Sequence, residues 1–238
     1  MNIALILAGG FGNRLGNDIP KQYVEVAGKP LIAYCLSVFE KHLSIDAIQI
    51  VAAEDWHFFI EAWTGSKLKG FSKPGYNRQL SILNGLKDIL KYATKSDVVV
   101  IHDAARPLVS TELISSCIKA CQFHDGVIPV LPVKDTMYMG NGRQITALLN
   151  RRFIYAGQAP EAFRLGSYYE ANLQLLPEKI LKINGSTEPA ILAGLDVALI
   201  DGDEKNFKIT TAVELEEFKR SVGRFSHESM CIEKRRGI

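Results

Sequence analysis

The sequence predicts an α/β fold, a mostly parallel sheet covered by helices. Two observations carry this. Apolar segments of strand length alternate with amphipathic segments of helix length over most of the chain. The early strand segments, NIALIL at 2–7 and DVVVIH at 97–102, are continuous apolar runs, as in strands buried on both faces.

Asn2–Leu7 is the first strand. It lacks a positive leader and runs into glycines, so it reads as a strand and not as a signal peptide. Leu31–Lys41 follows Pro30 with apolar residues at helical spacing, and Ala47–Ala53 is a second strand. Arg78–Tyr92 is a helix with Leu80, Leu83, Leu86 and Leu90 on one stripe. Asp97–His102 is a third strand. Thr111–Phe123 is a helix that Ser110 or Thr111 caps, and Gly126–Leu131 is a fourth strand. The alternation then breaks. Asp135–Met139 and Gln144–Leu149 flank GNGR, which has the turn chemistry of a hairpin. Such a hairpin either leaves the body of the domain or extends a sheet edge, and periodicity does not choose between them. Ser167–Leu176 and Ser186–Ala193 read as helices, Val197–Ile200 and Phe207–Ile209 as strands, and Ala212–Val222 as a helix. One domain over 1–222 is expected, with an arm at about 133–156 and a fraying polar tail at 223–238.

Bulk properties exclude several classes. The 238 residues suit one α/β unit. Hydrophobic residues at 47% and a net charge of +2 exclude a disordered chain and leave no electrostatic footprint for nucleic acid. No apolar run approaches the roughly 18 residues of a membrane span. Cys117 and Cys121 are spaced i,i+4, but nothing nearby completes a metal set, so they read as a buried apolar face. Four cysteines without a disulfide pattern fit the reducing cytoplasm.

Four segments carry chemistry. LAGGFGNRLGNDIPKQY, at 7–23, follows the first strand, where doubly wound sheets place ligands. Its glycines let backbone N–H groups approach an anion, and Arg14 and Lys21 suit a polyphosphate. It is neither a Walker A loop nor a dinucleotide fingerprint, since Leu15 stands where the third glycine would fall. VVVIHDAARPLV, at 98–109, puts Asp103 at the end of a buried strand, apt for Mg²⁺ shared with phosphate oxygens. His102 reads as a packed core histidine and Arg106 as half of a structural ion pair. PGYNRQLSILNGL, at 74–86, places Arg78 and Ser81 on a first helical turn, where they meet a ligand or where Asn77 simply caps. NFKITT, at 206–211, carries Lys208, facing either an anionic site or solvent at an edge.

Taken together, LAGGFGNRLG…PKQY, NRQLSILNGL, HDAARP, PVKDT, GQAPEAF and NFKITT resemble the CTP-dependent polyol-phosphate cytidylyltransferases, from Asn2 to about Phe218. Members act on 2-C-methyl-D-erythritol 4-phosphate or D-ribitol 5-phosphate. The resemblance implies a three-layer αβα nucleotidyltransferase fold, Mg²⁺, and a homodimer whose hairpin arm embraces the partner. It implies that Ala8, Gly9, Gly10, Phe11 and Gly12 hold CTP, and that Arg14, Lys21 and Lys208 are catalytic cations on the phosphates. Gly75 and Ser81 match the cytosine site, with Arg78 among them. Asp103, with Ala104 beside it, matches the acid on the magnesium and ribose side. Thr136 and Arg151 match arm positions that reach the polyol phosphate of the neighbouring site. Ser186 and Thr187, in Ser186-Thr187-Glu188, stand where the family usually has Thr-Asp, and Ala159 where it usually has Thr. Both departures lie near the polyol. The resemblance leans to methylerythritol 4-phosphate over ribitol 5-phosphate. A nicotinamide-dependent oxidoreductase is disfavoured by Leu15 and the paired cations, and a non-catalytic nucleotide module by Arg14, Lys21, Asp103 and Lys208 occurring together.

Overall fold

The computed structural model describes residues 1–10 and 19–235. In chain order the elements are β1 (Asn2–Leu7), β2 (Glu25–Val26), β3 (Lys29–Pro30), α1 (Leu31–Lys41), β4 (Ala47–Val51), α2 (His57–Glu61), β5 (Leu68–Ser72) and α3 (Arg78–Ile89). They continue as β6 (Val98–Asp103), α4 (Thr111–Ala120), β7 (Gly126–Pro132), β8 (Met137–Gly140), β9 (Ile145–Leu149), β10 (Tyr155–Gly157) and β11 (Glu161–Arg164). The last four are α5 (Leu165–Leu173), α6 (Glu188–Leu192), β12 (Val197–Asp201) and α7 (Ala212–Arg235).

The main sheet runs β10-β7-β11-β6-β1-β4-β5, and β12 pairs with β7. β1 is parallel to both β4 and β6, β4 to β5, and β12 to β7. The alternation of side chains along β1 builds three layers. Ala4 and Ile6 point to the face covered by α1 and α4, where Leu36, Phe39, Ile114 and Cys117 are buried. Ile3 and Leu5 point to the face covered by α3 and α5, where Ile82, Leu86 and Tyr168 are buried. Each such aliphatic side chain contributes roughly 1.5–3 kcal/mol when fully buried. The expected mostly parallel sheet flanked by helices is therefore present. Among the described residues no helix is long and apolar enough to cross a membrane.

Three elements differ from the expectations. β11 lies antiparallel between β6 and β7, so these two strands are not neighbours. Phe207–Ile209 is not a strand: Ile209 N–H donates to Ala105 O and Ile209 O accepts from Lys21 Nζ, so these groups serve loop anchoring instead of a ladder. The last helix continues past Val222 to Arg235, where a frayed tail is expected; the residues from Gly223 onward are polar but include Glu, Lys and Arg, which are good helix formers. β8 and β9 pair only with each other, so the hairpin does leave the body of the sheet.

Candidate active site

β1 and β6 run in register with Leu7 opposite Asp103, so the segments after them leave the same carboxyl edge side by side. Ala104 N–H donates to Leu7 O at 3.1 Å and Ala8 N–H to Val51 O at 2.8 Å. The turn after β5 closes on this edge. A Cβ on Gly9 would stand 2.8 Å from Pro74 Cβ and Cγ, and one on Gly75 would stand 2.4 Å from Leu80 Cβ. Both glycines are thus set by close approach. Ser81 Oγ accepts from Gly75 N–H at 2.9 Å and donates to Asn77 O at 2.9 Å. Asn77 Oδ1 caps α3 by accepting from Leu80 N–H at 2.8 Å. Capping at Asn77 is realised, and Ser81 fastens the Gly75 turn to the helix. Arg78 turns the other way, into the site.

Asp103 is the centre. Its Oδ1 accepts from Arg78 Nη2 at 3.0 Å and Nε at 3.2 Å, and its Oδ2 meets Lys208 Nζ at 2.9 Å. Arg106 Nε lies 3.8 Å from the same Oδ2. Burial alone would raise the Asp103 pKa, but Arg78 and Lys208 outweigh it and hold the carboxyl far below the usual carboxylate range. Asp103 in turn lifts the Arg78 pKa against the effect of burial. The ion pair expected of Arg106 is present, and its Nη1 also donates to Asn206 O at 2.7 Å. His102 is the expected core histidine: it is fully buried, bonded to Arg106 O at 3.0 Å, and burial pushes its pKa down to about 4.

Lys208 arrives on the loop after β12, and that loop is fastened at several points. Gln158 pairs with Asp203, accepting from its N–H and donating to its carbonyl, both at 2.9 Å. Asn206 Nδ2 donates to Ala159 O at 2.6 Å, and Ile209 N–H to Ala105 O at 2.8 Å. Lys21 Nζ donates to Ile209 O at 2.8 Å, so Lys21 comes beside the Lys208 segment. The structure therefore brings together Ala8, Gly9, Gly10, Lys21, Gly75, Arg78, Ser81, Asp103, Ala104 and Lys208. Phe11, Gly12 and Arg14 lie outside the described residues.

The four residues expected to face the acceptor divide. Thr136 and Arg151 are exposed on the arm; Arg151 Nη1 donates to Lys134 O at 2.7 Å, and neither residue bonds to the Asp103 cluster of its own chain. Ser186 is buried, and its carbonyl accepts from the Tyr168 hydroxyl at 2.6 Å. Thr187 Oγ1 and Glu161 Oε2 are buried without a partner among the described residues. Sequence reasoning passed over Glu161, a second carboxylate near the site. Burial pushes its pKa up, against the pull of Arg78 and Arg106. Its only local signal is a charge heading a short apolar run directly after Pro160. Gln22 was also missed, though it stands beside Lys21.

Asp103 offers one carboxylate to a divalent cation, and no group of three His, Cys, Asp or Glu side chains able to hold a metal occurs among the described residues. Mg²⁺ takes one or two carboxylates together with substrate phosphate oxygens, so this donor set fits an ion that shares Asp103 with a bound polyphosphate.

A family model described as "IspD: 2-C-methyl-D-erythritol 4-phosphate cytidylyltransferase" matches residues 2–221. The chain is similar to the 2-C-methyl-D-erythritol 4-phosphate cytidylyltransferase of Geobacter metallireducens, 34% identical over 220 residues, covering 89% of this chain and 93% of that protein. It is 37% identical over 220 residues to the bifunctional enzyme IspD/IspF of Desulfotalea psychrophila, covering 89% of this chain but only 54% of that relative's length. It is 30% identical over 225 residues to a ribitol-5-phosphate cytidylyltransferase of Streptococcus agalactiae, covering 92% and 94%. The crystal structure of the Francisella tularensis 2-C-methyl-D-erythritol 4-phosphate cytidylyltransferase superposes with a TM-score of 0.77 at 25% identity, covering 91% of this chain and 97% of that one.

Proposed function

The chain belongs to the IspD family of cytidylyltransferases, and from that premise we propose that it transfers CMP from CTP to 2-C-methyl-D-erythritol 4-phosphate, releasing pyrophosphate. The observation that carries the reading is the cluster of Arg78, Arg106 and Lys208 around Asp103, with Lys21 bonded to the Lys208 segment at Ile209 O, beside a glycine loop at the carboxyl edge of the sheet. The acceptor phosphate is already an anion and needs no general base. What opposes the reaction is the approach of two anions and the charge that builds at the α-phosphorus. Fixed cations of the right sign lower that barrier by positioning and by electrostatic stabilisation.

Each residue has a part in this. Lys208 and Lys21 face the phosphates. Asp103 keeps Lys208 and Arg78 in place, and together with the phosphate oxygens it would hold Mg²⁺. When bound, that ion supplies further neutralisation of phosphate charge. Gly75 and Ser81 form the rigid turn that meets the base. Arg14, with Phe11 and Gly12, completes the loop in this reading.

Methylerythritol 4-phosphate is preferred because the family model and the Geobacter metallireducens relative bear that name. Ribitol 5-phosphate is the second reading, supported by the Streptococcus agalactiae relative, and the departures at Ala159, Ser186 and Thr187 keep the acceptor open between the two. The exposed apolar residues of the arm, Tyr138, Met139, Ile145 and Leu148, favour a homodimer in which Thr136 and Arg151 serve the partner's acceptor site. Buried thiols at Cys35, Cys117 and Cys121 suit the cytoplasm. The test is pyrophosphate release from CTP with each polyol phosphate in turn. Equal rates with ATP or GTP, or no release with any acceptor, would overturn the reading.

A further inference from the structure

Gln22 sits in the single 3-10 turn that follows the glycine loop, and only 4% of it is exposed. Its side-chain Nε2 donates to two backbone carbonyls of that loop, Ala8 O at 2.6 Å and Gly10 O at 2.8 Å. Ala8 O also accepts from the Tyr23 hydroxyl at 3.1 Å. Tyr23 is itself fixed from behind, stacked on Trp56 with ring centroids 4.0 Å apart. The carboxamide of Gln22 thus spends both of its hydrogens on the backbone of one loop.

The geometry of the peptide unit turns this into a statement about the other face. A trans peptide is planar, with N–H anti to C=O. A carbonyl drawn inward to Gln22 therefore points the N–H of the same peptide outward. For the Ala8 carbonyl that donor is Gly9 N–H. Neither Gly9 N–H nor Gly10 N–H donates to any described residue, and a Cβ on Gly10 would meet nothing within 4 Å. The loop is pinned by its acceptors on one side and shows the unspent Gly9 N–H on the other, while the unspent Gly10 N–H belongs to the next peptide, whose carbonyl Gln22 does not hold.

We propose that Gln22 is a positioning residue for nucleotide binding: by holding the Ala8 and Gly10 carbonyls away from the cleft, it makes the loop present N–H donors to a triphosphate. Without that hold, a carbonyl free to swing outward would put partial negative charge where the anion must lie. The inference rests on the reading of this loop as the nucleotide-phosphate site.

The test is calorimetric titration of the full chain with CTP and Mg²⁺, and separately with inorganic tripolyphosphate. Gln22→Glu keeps the size but replaces the donating Nε2 amino group with a second acceptor oxygen. Affinity for both ligands should fall roughly tenfold or more, with the KM for CTP rising in step and the KM for the polyol phosphate unchanged. Tyr23→Phe removes only the second donor to Ala8 O and should weaken tripolyphosphate by about threefold. Should Gln22→Glu fail to fold, Gln22→Met, which fills the volume and donates nothing, is read in the same way. Unchanged tripolyphosphate affinity in a folded Gln22 variant overturns the inference. So does an equal loss of affinity for both substrates accompanied by a lowered melting temperature. If the wild-type chain binds tripolyphosphate but releases no pyrophosphate from CTP with any acceptor, the proposed function falls, and the Gln22 effect on tripolyphosphate still supports the inference.

Discussion

Asp103 is buried yet ionised, and its two oxygens hold groups from three different segments, the first turn of α3, the loop after β6 and the loop after β12. Removing it and removing one of its partners should therefore have different consequences. Lys208 is partly exposed, so Lys208→Ala should leave stability nearly unchanged while lowering kcat on the order of 10²–10³. Asp103→Asn leaves the nearly buried Arg106 and the partly exposed Arg78 without their counter-charge. It should cost about 3 kcal/mol of stability in urea unfolding as well as most of the activity. Equal stability losses in the two variants would show Asp103 to be a binding residue without a structural role. Much of this cluster is legible in the sequence, because each member stands where an apolar run ends and a polar loop begins. The pairing of Arg78 with Asp103 is not legible, since helix capping and ligand binding make the same demands on residues at a first turn. Glu161 is harder still: a carboxylate heading a four-residue strand gives no periodic signal, and only the fold shows that it is buried.

At the scale of elements, the helices that cover one face of the sheet carry the buried thiols. Cys35 lies in α1, Cys117 ends a turn of α4, and Cys121 follows it. Burial pushes their pKa values up, to about 12 for Cys35 and Cys117 and about 11 for Cys121. The folded state holds these protons above the ordinary thiol value of 9.0, while the unfolded chain releases them. Stability is thus fully present below pH 9 and is lost as pH rises above it. At pH 10 the loss is about 1.4 kcal/mol for each thiol. A triple Cys→Ala variant should be less stable at pH 7 but show a flatter fall in melting temperature between pH 8 and pH 10.5. A fall as steep as that of the wild type would assign alkaline unfolding to other groups. The parallel strands β1, β4, β6 and β7 are legible because strands buried on both faces leave uninterrupted apolar runs. β5, LKGFS, is not: it carries a lysine and a glycine and is only partly buried. Phe207–Ile209 misleads in the opposite sense. Its alternation imitates a strand because two apolar side chains anchor a loop while the lysine between them faces Asp103.

For the whole molecule, the arm sets the expected assembly. A two-stranded ribbon is marginal alone in water, and β8–β9 has no pairing with the main sheet. Sedimentation is expected to give a dimer for the wild type and a monomer for the double variant Ile145→Asp, Leu148→Asp. Arg151→Ala and Lys208→Ala test the same assembly through activity. If Arg151 serves the neighbouring site, each mutant homodimer is nearly inactive, but in a mixed dimer one site carries both lesions and the other carries none. After subunit exchange about half the dimers are mixed, so roughly a quarter of the sites should recover. No recovery would mean that Arg151 acts within its own chain, or not at all.

The position of β11 imposes an order on how the chain becomes a sheet. β6 and β7 are made early, but the gap between them is filled by a strand that the ribosome delivers only after the whole arm has been synthesised. A nascent chain ending at Pro132 holds the edge of β6 open, with its backbone groups unpaired and Val99, Val100 and Ile101 beside them. Adding strands in the order of synthesis would pair β6 with β7 directly, and that pairing would have to be undone before Glu161–Arg164 could enter. The sheet can therefore be closed at its middle only after Glu161–Arg164 has been made. A fragment cut at the arm is expected to aggregate where the complete chain folds.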